Sequence, residues 1–205
     1  MHITLQNIGK RYNREWIFRG VNLEFTAGKK IAITGSNGSG KSTLLQTIAG
    51  ALMLSEGKII YTTAAGEWIA DNKAYEQISL AAPYLEMIEE MTTSEMLEFH
   101  RLFKKMKGNN QDILSSVGIA AAANKQIRYF SSGMKQRLKL AIAFYSKTTV
   151  LLLDEPTTNL DASGIAIYKK LLDTETDDRL VIICSNDKTE YDCCETIISI
   201  EDYKR

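Results

Sequence analysis

Apolar and polar residues alternate along the first part of the chain, and a period of two residues is typical of β-strands. The period then changes, because apolar side chains recur from Leu44 to Leu52 at the three- and four-residue spacing of a helix. A glycine-rich turn at residues 35–40 precedes that helix. In this region the pattern predicts strands that contain Ile3, Leu5 and Ile8; Val21, Leu23 and Phe25; residues 31–33; residues 58–62; and residues 78–81.

The rest of the chain alternates longer helical patterns with short apolar runs. A broad apolar face, formed by Met96, Leu97, Phe99, Leu102, Phe103 and Met106, predicts a helical stretch from Thr92 to about Leu114. Asn109 and Asn110, beside Gly108, are predicted to break this stretch. Further helices are predicted at Met134–Tyr145 and Ala162–Leu172, and strands at Val150–Leu153, Leu180–Cys184 and Thr196–Ile200. Strands that alternate with helices indicate the α/β fold class. We expect a single domain over residues 1–205, with a mostly helical subdomain at about 84–140.

Composition excludes several classes of protein. The 205 residues include 25 Lys+Arg and 25 Asp+Glu, so there is no basic excess, and no nucleic-acid partner is expected. No apolar run reaches the roughly 20 residues that cross a bilayer, and the N-terminus does not resemble a signal peptide. Cys184, Cys193 and Cys194 lack the spacing of a metal site or of a disulfide framework. A function at a membrane would therefore require a partner that holds the chain there.

The glycine-rich turn has the spacing of a phosphate-binding loop. Residues 35–42 match the P-loop pattern G-x-x-x-x-G-K-[ST] in full, between a predicted strand and a predicted helix. Glycines let backbone N–H groups surround phosphate oxygens, and the helix N-terminus adds partial positive charge. In this pattern Lys41 reaches the β- and γ-phosphates, and the Ser42 hydroxyl can ligate Mg²⁺. The predicted nucleotide-binding residues here are Gly35, Ser36, Asn37, Gly38, Ser39, Gly40, Lys41, Ser42 and Thr43.

Two acidic residues follow the apolar strand at 150–153 and narrow the choice among P-loop proteins. Asp154, at the strand end, can orient Mg²⁺, so it joins Ser42 as a predicted metal residue. Glu155 is then placed to polarise an attacking water as a general base. A GTPase is excluded, because Tyr75 stands where the guanine-selecting pattern Asn-Lys-x-Asp needs its Asp.

Residues 130–137, Phe-Ser-Ser-Gly-Met-Lys-Gln-Arg, resemble the signature of ATP-binding cassette (ABC) ATPases. Residues 154–161 resemble that family's Walker B motif running into its D-loop. The resemblance implies a P-loop ABC ATPase fold with a mostly parallel core sheet, an antiparallel N-terminal β subdomain and a helical signature subdomain. It also implies that two cassettes enclose two ATP molecules head to tail, each between one subunit's P-loop and the other subunit's signature.

The same resemblance implies further nucleotide contacts. The signature residues Ser131, Ser132 and Gly133, together with Asp161 of the D-loop, are expected to face the nucleotide. Tyr12 lies where the family has the aromatic residue that stacks on adenine, and such stacking contributes about 1–3 kcal/mol. The nearby Trp16 and Phe18 are interpreted as packing residues. ATP and Mg²⁺ are the cofactors implied.

Two positions depart from the family pattern. Pro83 stands where the family has a Gln that contacts Mg²⁺ and relays the nucleotide state, and Gln77 lies six residues too early to replace it. Asn186 stands where the family has a His that contacts the γ-phosphate, and an Asn amide cannot be protonated. Two interpretations stay open. In one, Glu155 and Lys41 still hydrolyse ATP with Asn186 as a weaker catalytic sensor; in the other, the chain is a clamp that binds ATP with very slow hydrolysis.

Three functions fit the resemblance. The first is the ATP-hydrolysing motor subunit of an ABC membrane transporter, cytoplasmic and held at the inner face of the membrane by a separate transmembrane permease. A second ABC ATPase subunit, identical or different, would complete the dimer. The second function is a soluble cassette of the iron–sulfur-assembly type. The third is a regulatory cassette that pairs with an active, different subunit, and Pro83 and Asn186 support it.

Overall fold

The structure of the protein, a computed structural model, describes residues 1–204. The strands are His2–Tyr12 (β1), Glu15–Phe25 (β2), Lys30–Thr34 (β3), Glu56–Thr62 (β4), Trp68–Ile69 (β5), Ile78–Ala81 (β6), Val150–Asp154 (β7), Leu180–Cys184 (β8) and Thr196–Ser199 (β9). The α-helices are Lys41–Ile48 (α1), Asp71–Ala74 (α2), Thr93–Arg101 (α3), Asn110–Ser116 (α4), Ser132–Tyr145 (α5) and Ala162–Thr174 (α6). Short 3₁₀ segments lie at Tyr75–Gln77, Ala120–Ala122, Ile127–Tyr129, Lys188–Glu190 and Ile200–Tyr203.

The N-terminal strands form an antiparallel sheet in the order β2-β1-β4-β5. Ile3 of the central strand β1 lies opposite Phe25 on one side and opposite Tyr61 on the other. These three residues are buried, as are Leu5 and Val21. The two-residue alternation of the sequence therefore places one face of this sheet on the core, as is usual for antiparallel strands.

A second sheet contains five strands in the order β6-β7-β8-β3-β9. Its neighbours β7 and β8, β8 and β3, and β3 and β9 are parallel pairs. Every residue of β7 and of β8 is buried, as expected for parallel strands that are covered on both faces. Because parallel strands end at the same edge, the segments that follow β3, β7, β8 and β9 leave the sheet side by side. The parallel and antiparallel sheets confirm the predicted α/β class.

The chain divides into two compact units. The first comprises residues 1–80, 148–154 and 178–204, and the second comprises residues 81–147 and 155–177. In the second unit Phe144 of α5 packs edge to face on Tyr168 of α6, with ring centroids 6.4 Å apart. No helix within residues 1–204 is long and apolar enough to cross a membrane. The predicted limits of a helical subdomain, about 84–140, stay a prediction.

The break predicted beside Gly108 is confirmed, because α3 and α4 are separate helices and α4 begins at Asn110. The prediction that the first helix continues through Met106 is wrong, because α3 ends at Arg101. Its start is correct, since Thr92 and Glu95 form a capping box at the beginning of α3. The predicted apolar face does not continue, however. The side chains of Leu102 and Phe103 are 79% and 65% exposed, although the sequence placed them on the same buried face as Leu97.

Long-range backbone bonds explain why the helix stops. The Lys107 N–H donates to the Tyr145 carbonyl at 2.8 Å, and the Lys147 N–H donates to the Lys105 carbonyl at 2.8 Å. Met106 lies between the two bonded residues and is buried. These bonds satisfy main-chain groups that a continuing helix would have to satisfy itself. Apolar spacing contains no information about such a distant partner.

Candidate nucleotide-binding site

The candidate site lies at the edge where the parallel strands end. The register aligns Ile33 of β3 with Cys184 of β8, and Cys184 with Asp154 of β7. The predicted P-loop follows β3, Asp154 closes β7, and Asn186 lies just beyond β8. This edge is where open α/β sheets commonly bind ligands. The topology thus brings together three parts of the site that the sequence predicts separately.

Two glycines of the P-loop occupy positions that no other residue fits. The φ angles of Gly35 and Gly40 are 148° and 104°. A Cβ atom on Gly35 would lie 2.6 Å from Ile200 Cγ2, and one on Gly40 would lie 2.5 Å from Ile17 Cγ2. Both positions therefore need glycine for its conformation and for its small size. The loop packs directly against β2 and against the segment that follows β9.

α1 begins with backbone amides that are not capped by a side chain. Its N-cap is Gly40, and its first turn contains no acidic residue. The Lys41 side chain is only 4% exposed, and its Nζ donates to the carbonyl oxygens of Gly35 at 2.8 Å and Ser36 at 3.2 Å. An ammonium group held beside uncapped amides can bind an anion such as phosphate. Ser39 Oγ is buried and has no hydrogen-bond partner within residues 1–204, which leaves one more polar group in the loop.

Two residues, one after β8 and one after β9, form hydrogen bonds to the P-loop. Beyond β8, Asn186 Nδ2 donates to Asn37 Oδ1 at 2.8 Å. Beyond β9, Glu201 Oε1 accepts from the Ser36 backbone N–H at 2.9 Å and from the Ser36 hydroxyl at 2.7 Å. The Ser36 backbone bond, and then the hydroxyl bond, lower the pKa of Glu201. Sequence reasoning missed Glu201, for which the end of a predicted strand was the only available signal.

Asp154 and Glu155 lie where the chain leaves β7. Asp154 is 1% exposed, whereas Glu155 is partly exposed. Glu155 has a φ of 42°, a conformation that costs a residue with a side chain on the order of 1 kcal/mol. The Glu155 carbonyl accepts from the Thr158 N–H at 3.1 Å, which closes a turn. Backbone strain of this kind collects at functional sites, and it agrees with a chemical role for Glu155.

The two predicted metal residues supply hard oxygen ligands. Ser42 lies in the first turn of α1, and Asp154 ends a strand separated from β3 only by β8. Within residues 1–204, no group of three or more His, Cys, Asp or Glu side chains could hold a metal ion alone. Mg²⁺ suits this donor set, because it usually takes one or two protein oxygens and completes its octahedron with phosphate and water. The residues therefore fit an Mg²⁺ ion that binds together with a nucleotide.

The sequence singles out three aromatic side chains of β1 and β2. Tyr12, the predicted adenine-stacking residue, is 47% exposed at the end of β1. Phe18 is fully buried, which agrees with its interpretation as a packing residue. Trp16 is not only a packing residue, since it lines a cavity of about 340 Å³ beside the P-loop. The residues around that cavity are Trp16, Ile17, Gly38 and Lys204.

The signature residues lie in the second unit, at the N-terminus of α5. Ser131 caps this helix, because its Oγ accepts from the Met134 N–H at 3.3 Å. A Cβ atom on Gly133 would lie 2.9 Å from the Asn159 carbonyl oxygen, so the glycine permits a close approach of the two segments. A cavity of about 690 Å³ lies here, bordered by Ser131, Ser132, Gly133, Arg137, Asn159 and Asp161 among others. A helix N-terminus at the edge of an open cavity can accept an anion.

Asp161 joins α6 to the signature helix. Its Oδ1 accepts from the Gly164 N–H at 2.8 Å, which caps α6, and from Arg137 of α5 at 2.7 Å. The bonds from Gly164, Ser163 and Arg137, in that order of importance, lower the pKa of Asp161. Asp161 thus borders the signature cavity and links the two helices that form it, while its contact with the nucleotide stays a prediction.

Pro83 lies at the start of the second unit, where a Gln was expected from the family pattern. Pro83 is exposed. Because proline has no side-chain oxygen, only its backbone carbonyl could act as a ligand, and this carbonyl accepts from Lys139 Nζ at 2.7 Å. Gln77 ends a 3₁₀ segment directly before β6, and its carbonyl accepts from the Thr149 N–H at 3.1 Å. Gln77 is therefore a structural residue beside the sheet.

The fold and the site define the class as a P-loop nucleotide-binding protein. A family model described as ABC transporter matches residues 18–158, and the chain belongs to this family. The ABC transporter ATP-binding protein YybJ of Bacillus subtilis is 30% identical over 204 residues, which cover 98% of this chain and 89% of that protein. The cytochrome c biogenesis ATP-binding export protein CcmA of Agrobacterium fabrum is 32% identical over 178 residues, which cover 84% of this chain and 82% of that protein.

Solved structures show the same fold. An ABC transporter ATP-binding protein from Pyrococcus furiosus superposes with a TM-score of 0.83 at 23% identity, and each chain is covered in full. An ATP-binding cassette solved as a dimer in a post-hydrolysis state, with ADP and Pi bound, superposes with a TM-score of 0.82 at 24% identity. That match covers 98% of this chain and 94% of the other. The predicted family and the predicted P-loop ABC ATPase fold are confirmed, and the chain is an ATP-binding subunit of the ABC transporter family.

Proposed function

We propose that the chain binds MgATP at its P-loop and hydrolyses it to drive a membrane transporter. The observation that supports this best is the start of α1, where uncapped amides adjoin a buried Lys41 in a loop that excludes side chains at Gly35 and Gly40. With ATP bound, the N–H groups of residues 38–43 would surround the phosphates and Lys41 would face the β- and γ-phosphates. Ser42 and Asp154 would hold Mg²⁺, which neutralises charge on the phosphate oxygens.

Hydrolysis is assigned to Glu155, with Lys41 and Asn186 beside the γ-phosphate. The oxygen of a water would attack the γ-phosphorus, the bond to the β-phosphate oxygen would break, and Glu155 would accept the water's proton. Lys41 stabilises the charge that develops on the phosphoryl oxygens. Asn186 can donate a hydrogen bond there but cannot become a cation, and its amide already donates to Asn37. We therefore expect slower turnover than a His at this position would give.

The signature cavity is assigned to the ATP of a second cassette. The N-terminus of α5 presents Ser132 and Gly133 at the cavity, but Lys135 and Arg137 of this helix already pair with Glu89 and Asp161. A helix N-terminus whose own cations are paired suits the γ-phosphate of an ATP whose charge the other subunit's P-loop has largely neutralised. A head-to-tail dimer, of identical or different cassettes, supplies that arrangement, and one solved relative is a dimer with ADP and Pi bound.

Coupling to a permease is supported by the names of relatives. CcmA is named an ATP-binding export protein, and SrtF of Streptococcus pyogenes, 29% identical over 191 residues, a lantibiotic transport ATP-binding protein. The SrtF match covers 90% of this chain and 79% of that protein. We infer a separate transmembrane partner and a position in the cytoplasm at the inner face of the membrane.

The Glu155→Gln variant tests the assignment. We expect turnover of MgATP, measured as phosphate release, to fall by about 100-fold or more, because general-base catalysis contributes about 10²–10⁴. ATP affinity should stay within about threefold, since the P-loop is untouched. Glu24→Gln, an exposed glutamate of β2, is the matched control.

The same experiment separates the alternatives. A wild-type chain that binds ATP tightly without measurable turnover would be the regulatory clamp. A chain that binds no ATP would contradict both functions.

A further inference from the structure

The segment that follows β9, residues 199–204, borders the P-loop at three points, and we call it the post-β9 segment. Ile200 is fully buried and lies where a Cβ on Gly35 would be. Glu201 accepts both hydrogen-bond donors of Ser36. Lys204 lies beside Gly38 at the cavity of about 340 Å³. Two direct contacts and one shared cavity therefore bring this segment to the P-loop.

The strand order explains this proximity. β9 is the parallel neighbour of β3, and the register pairs Thr34, the last residue of β3, with Ser199, the last residue of β9. Both strands end at the same level, so the P-loop and the post-β9 segment leave the sheet next to each other. The Ser36–Glu201 contact joins residues 165 positions apart in sequence and depends entirely on this pairing.

Glu201 is an unexpected residue beside a phosphate site. A carboxylate near the phosphates of ATP repels them, which would weaken binding if it had no other effect. Its Oε1, however, accepts from the N–H and the hydroxyl of Ser36. The Gly35 carbonyl, in the same peptide unit as that N–H, accepts from Lys41 Nζ at 2.8 Å. The charges of Lys204 and Lys41 also contribute to the lowered pKa of Glu201. Glu201, Ser36 and Lys41 thus form one connected chain.

We propose that Glu201 is a positioning residue, which holds Ser36 so that the Lys41 ammonium is directed at the bound phosphates. By fixing both donors of Ser36, it sets the orientation of the peptide unit that accepts from Lys41. Lys204 adds a cation beside the cavity and offsets the negative charge of Glu201. This inference rests on the proposed function, because it assumes that ATP binds at the P-loop.

Two substitutions separate positioning from simple charge. In Glu201→Ala we expect the Kd for ATP, measured by calorimetry without and with Mg²⁺, to rise by about tenfold. In Glu201→Gln the remaining amide oxygen can still accept from Ser36, so the Kd should stay within about threefold. Asp202→Ala, which removes the adjacent exposed carboxylate, is the control and should change the Kd by less than about twofold.

A double-mutant cycle with Ser36→Ala tests the proposed route. Ser36→Ala removes the hydroxyl bond to Glu201 and keeps the backbone N–H bond. If Glu201 acts through Ser36, Glu201→Ala should therefore raise the Kd by a smaller factor in the Ser36→Ala background than in wild type. Strictly additive effects would overturn the inference. So would tighter ATP binding in both Glu201 variants, which would mean that the carboxylate only repels phosphate.

Remaining outcomes are also decisive. If Glu201→Ala lowers the thermal midpoint of the nucleotide-free protein but leaves the Kd of the folded protein unchanged, Glu201 is merely structural and the inference is wrong. If wild type binds ATP and Glu201→Ala binds it equally well, only this inference fails. If wild type binds no ATP, the proposed function fails first.

Discussion

Two helices of this protein, α1 and α5, have a glycine in or beside their first turn, and they differ in which backbone amides and cations remain without a partner. The N-cap of α1 is Gly40, without a side-chain cap, and Lys41 beside it bonds only to neutral carbonyl oxygens. At α5, Ser131 already caps one amide, and the cations Lys135 and Arg137 are paired with carboxylates. The α1 end therefore combines open amides with a cation that has no carboxylate partner, whereas the two cations in the first turns of α5 are already paired.

From this difference we infer that the α1 end binds ATP, whereas the α5 end acts in its hydrolysis. A site that must capture the multiply charged triphosphate of ATP needs a cation as well as dipoles, and the P-loop has both. A helix N-terminus whose neighbouring cations are neutralised contributes less to capture. It can still recognise a γ-phosphate that is already held elsewhere. The comparison predicts that damage to the two ends will affect different steps.

The largest expected effects come from Lys41→Ala and Gly133→Ala. Lys41→Ala should raise the Kd for ATP by about 100-fold, because a charge-assisted bond to phosphate contributes about 1.5–3 kcal/mol.

Gly133→Ala places a Cβ 2.9 Å from the Asn159 carbonyl oxygen. It should leave the Kd within about twofold, since the P-loop is untouched. It should lower turnover by about 100-fold, because relieving the contact displaces the amides of the α5 N-terminus, and loss of a transition-state donor has an effect of that size.

A mixture of the Lys41→Ala and Gly133→Ala proteins tests whether the P-loop of one subunit and the signature of the other form one ATP site. A mixed dimer retains one intact P-loop opposite one intact signature, so turnover should reappear in the mixture although each variant alone is inactive. Equal loss of ATP affinity in both variants would contradict the separation of binding from hydrolysis.

The next effect concerns the backbone of the P-loop. Gly40→Ala combines a φ of 104° with a Cβ 2.5 Å from Ile17 Cγ2, and it should destabilise the folded protein by about 2–3 kcal/mol. Gly50 has a φ of 74° but nothing within 4 Å of an added Cβ, so Gly50→Ala should cost only about 1 kcal/mol. Urea denaturation measures both. Equal losses would mean that packing against β2 is unimportant.

Local motifs made the P-loop end predictable from the sequence. Gly35–Ser42 and Asp154-Glu155 are short, and each chemical role follows from a strand end or a helix start within a few residues. Glu201 could not be found in this way. Its bond to Ser36 exists only because β9 pairs with β3, and no local pattern encodes that strand order.

Competition from distant partners also explains the errors in secondary structure. The apolar period through Leu102 and Phe103 predicted a continuing helix, but backbone bonds between residues 105–107 and 145–147 end it. The two-residue β5 and the four-residue α2 are too short for any period to show. Trp16 was interpreted as packing because strand spacing does not reveal which face meets a loop.

Acid should destabilise the second unit through His100. Its Nε2 lies 2.9 Å from Ser146 Oγ, and burial, followed by the charges of Lys104 and Arg101, lowers its pKa to about 4. The unfolded chain, with a His pKa near 6.5, binds more protons than the folded chain between these values. Stability should therefore fall as the pH drops from about 6.5 towards 4, by about 2 kcal/mol after allowance for partial exposure.

Hydrogen exchange can locate this effect. Protection in α3 and α5 should decrease between about pH 6.5 and 5, before the carboxylates titrate, while protection in α1 stays unchanged. His100→Gln should remove the dependence. An equal loss of protection in α1 would show that the acid response does not originate at His100.

The smallest effects are expected at Asn186, which bonds to the P-loop and is assigned a role in turnover. Asn186→Ala loses the 2.8 Å bond to Asn37 and should raise the Kd for ATP by only about threefold, because a neutral hydrogen bond contributes about 0.5–1.5 kcal/mol. Asn186→His introduces a side chain that can be protonated near the γ-phosphate, and turnover should rise by about three- to tenfold. Asn186→Gln is the control, because Gln keeps the amide and, unlike His, cannot be protonated. If His and Ala at this position lower turnover equally, the Asn37 bond itself is required for hydrolysis, and Asn186 is an adapted residue of this site and not a weakened sensor.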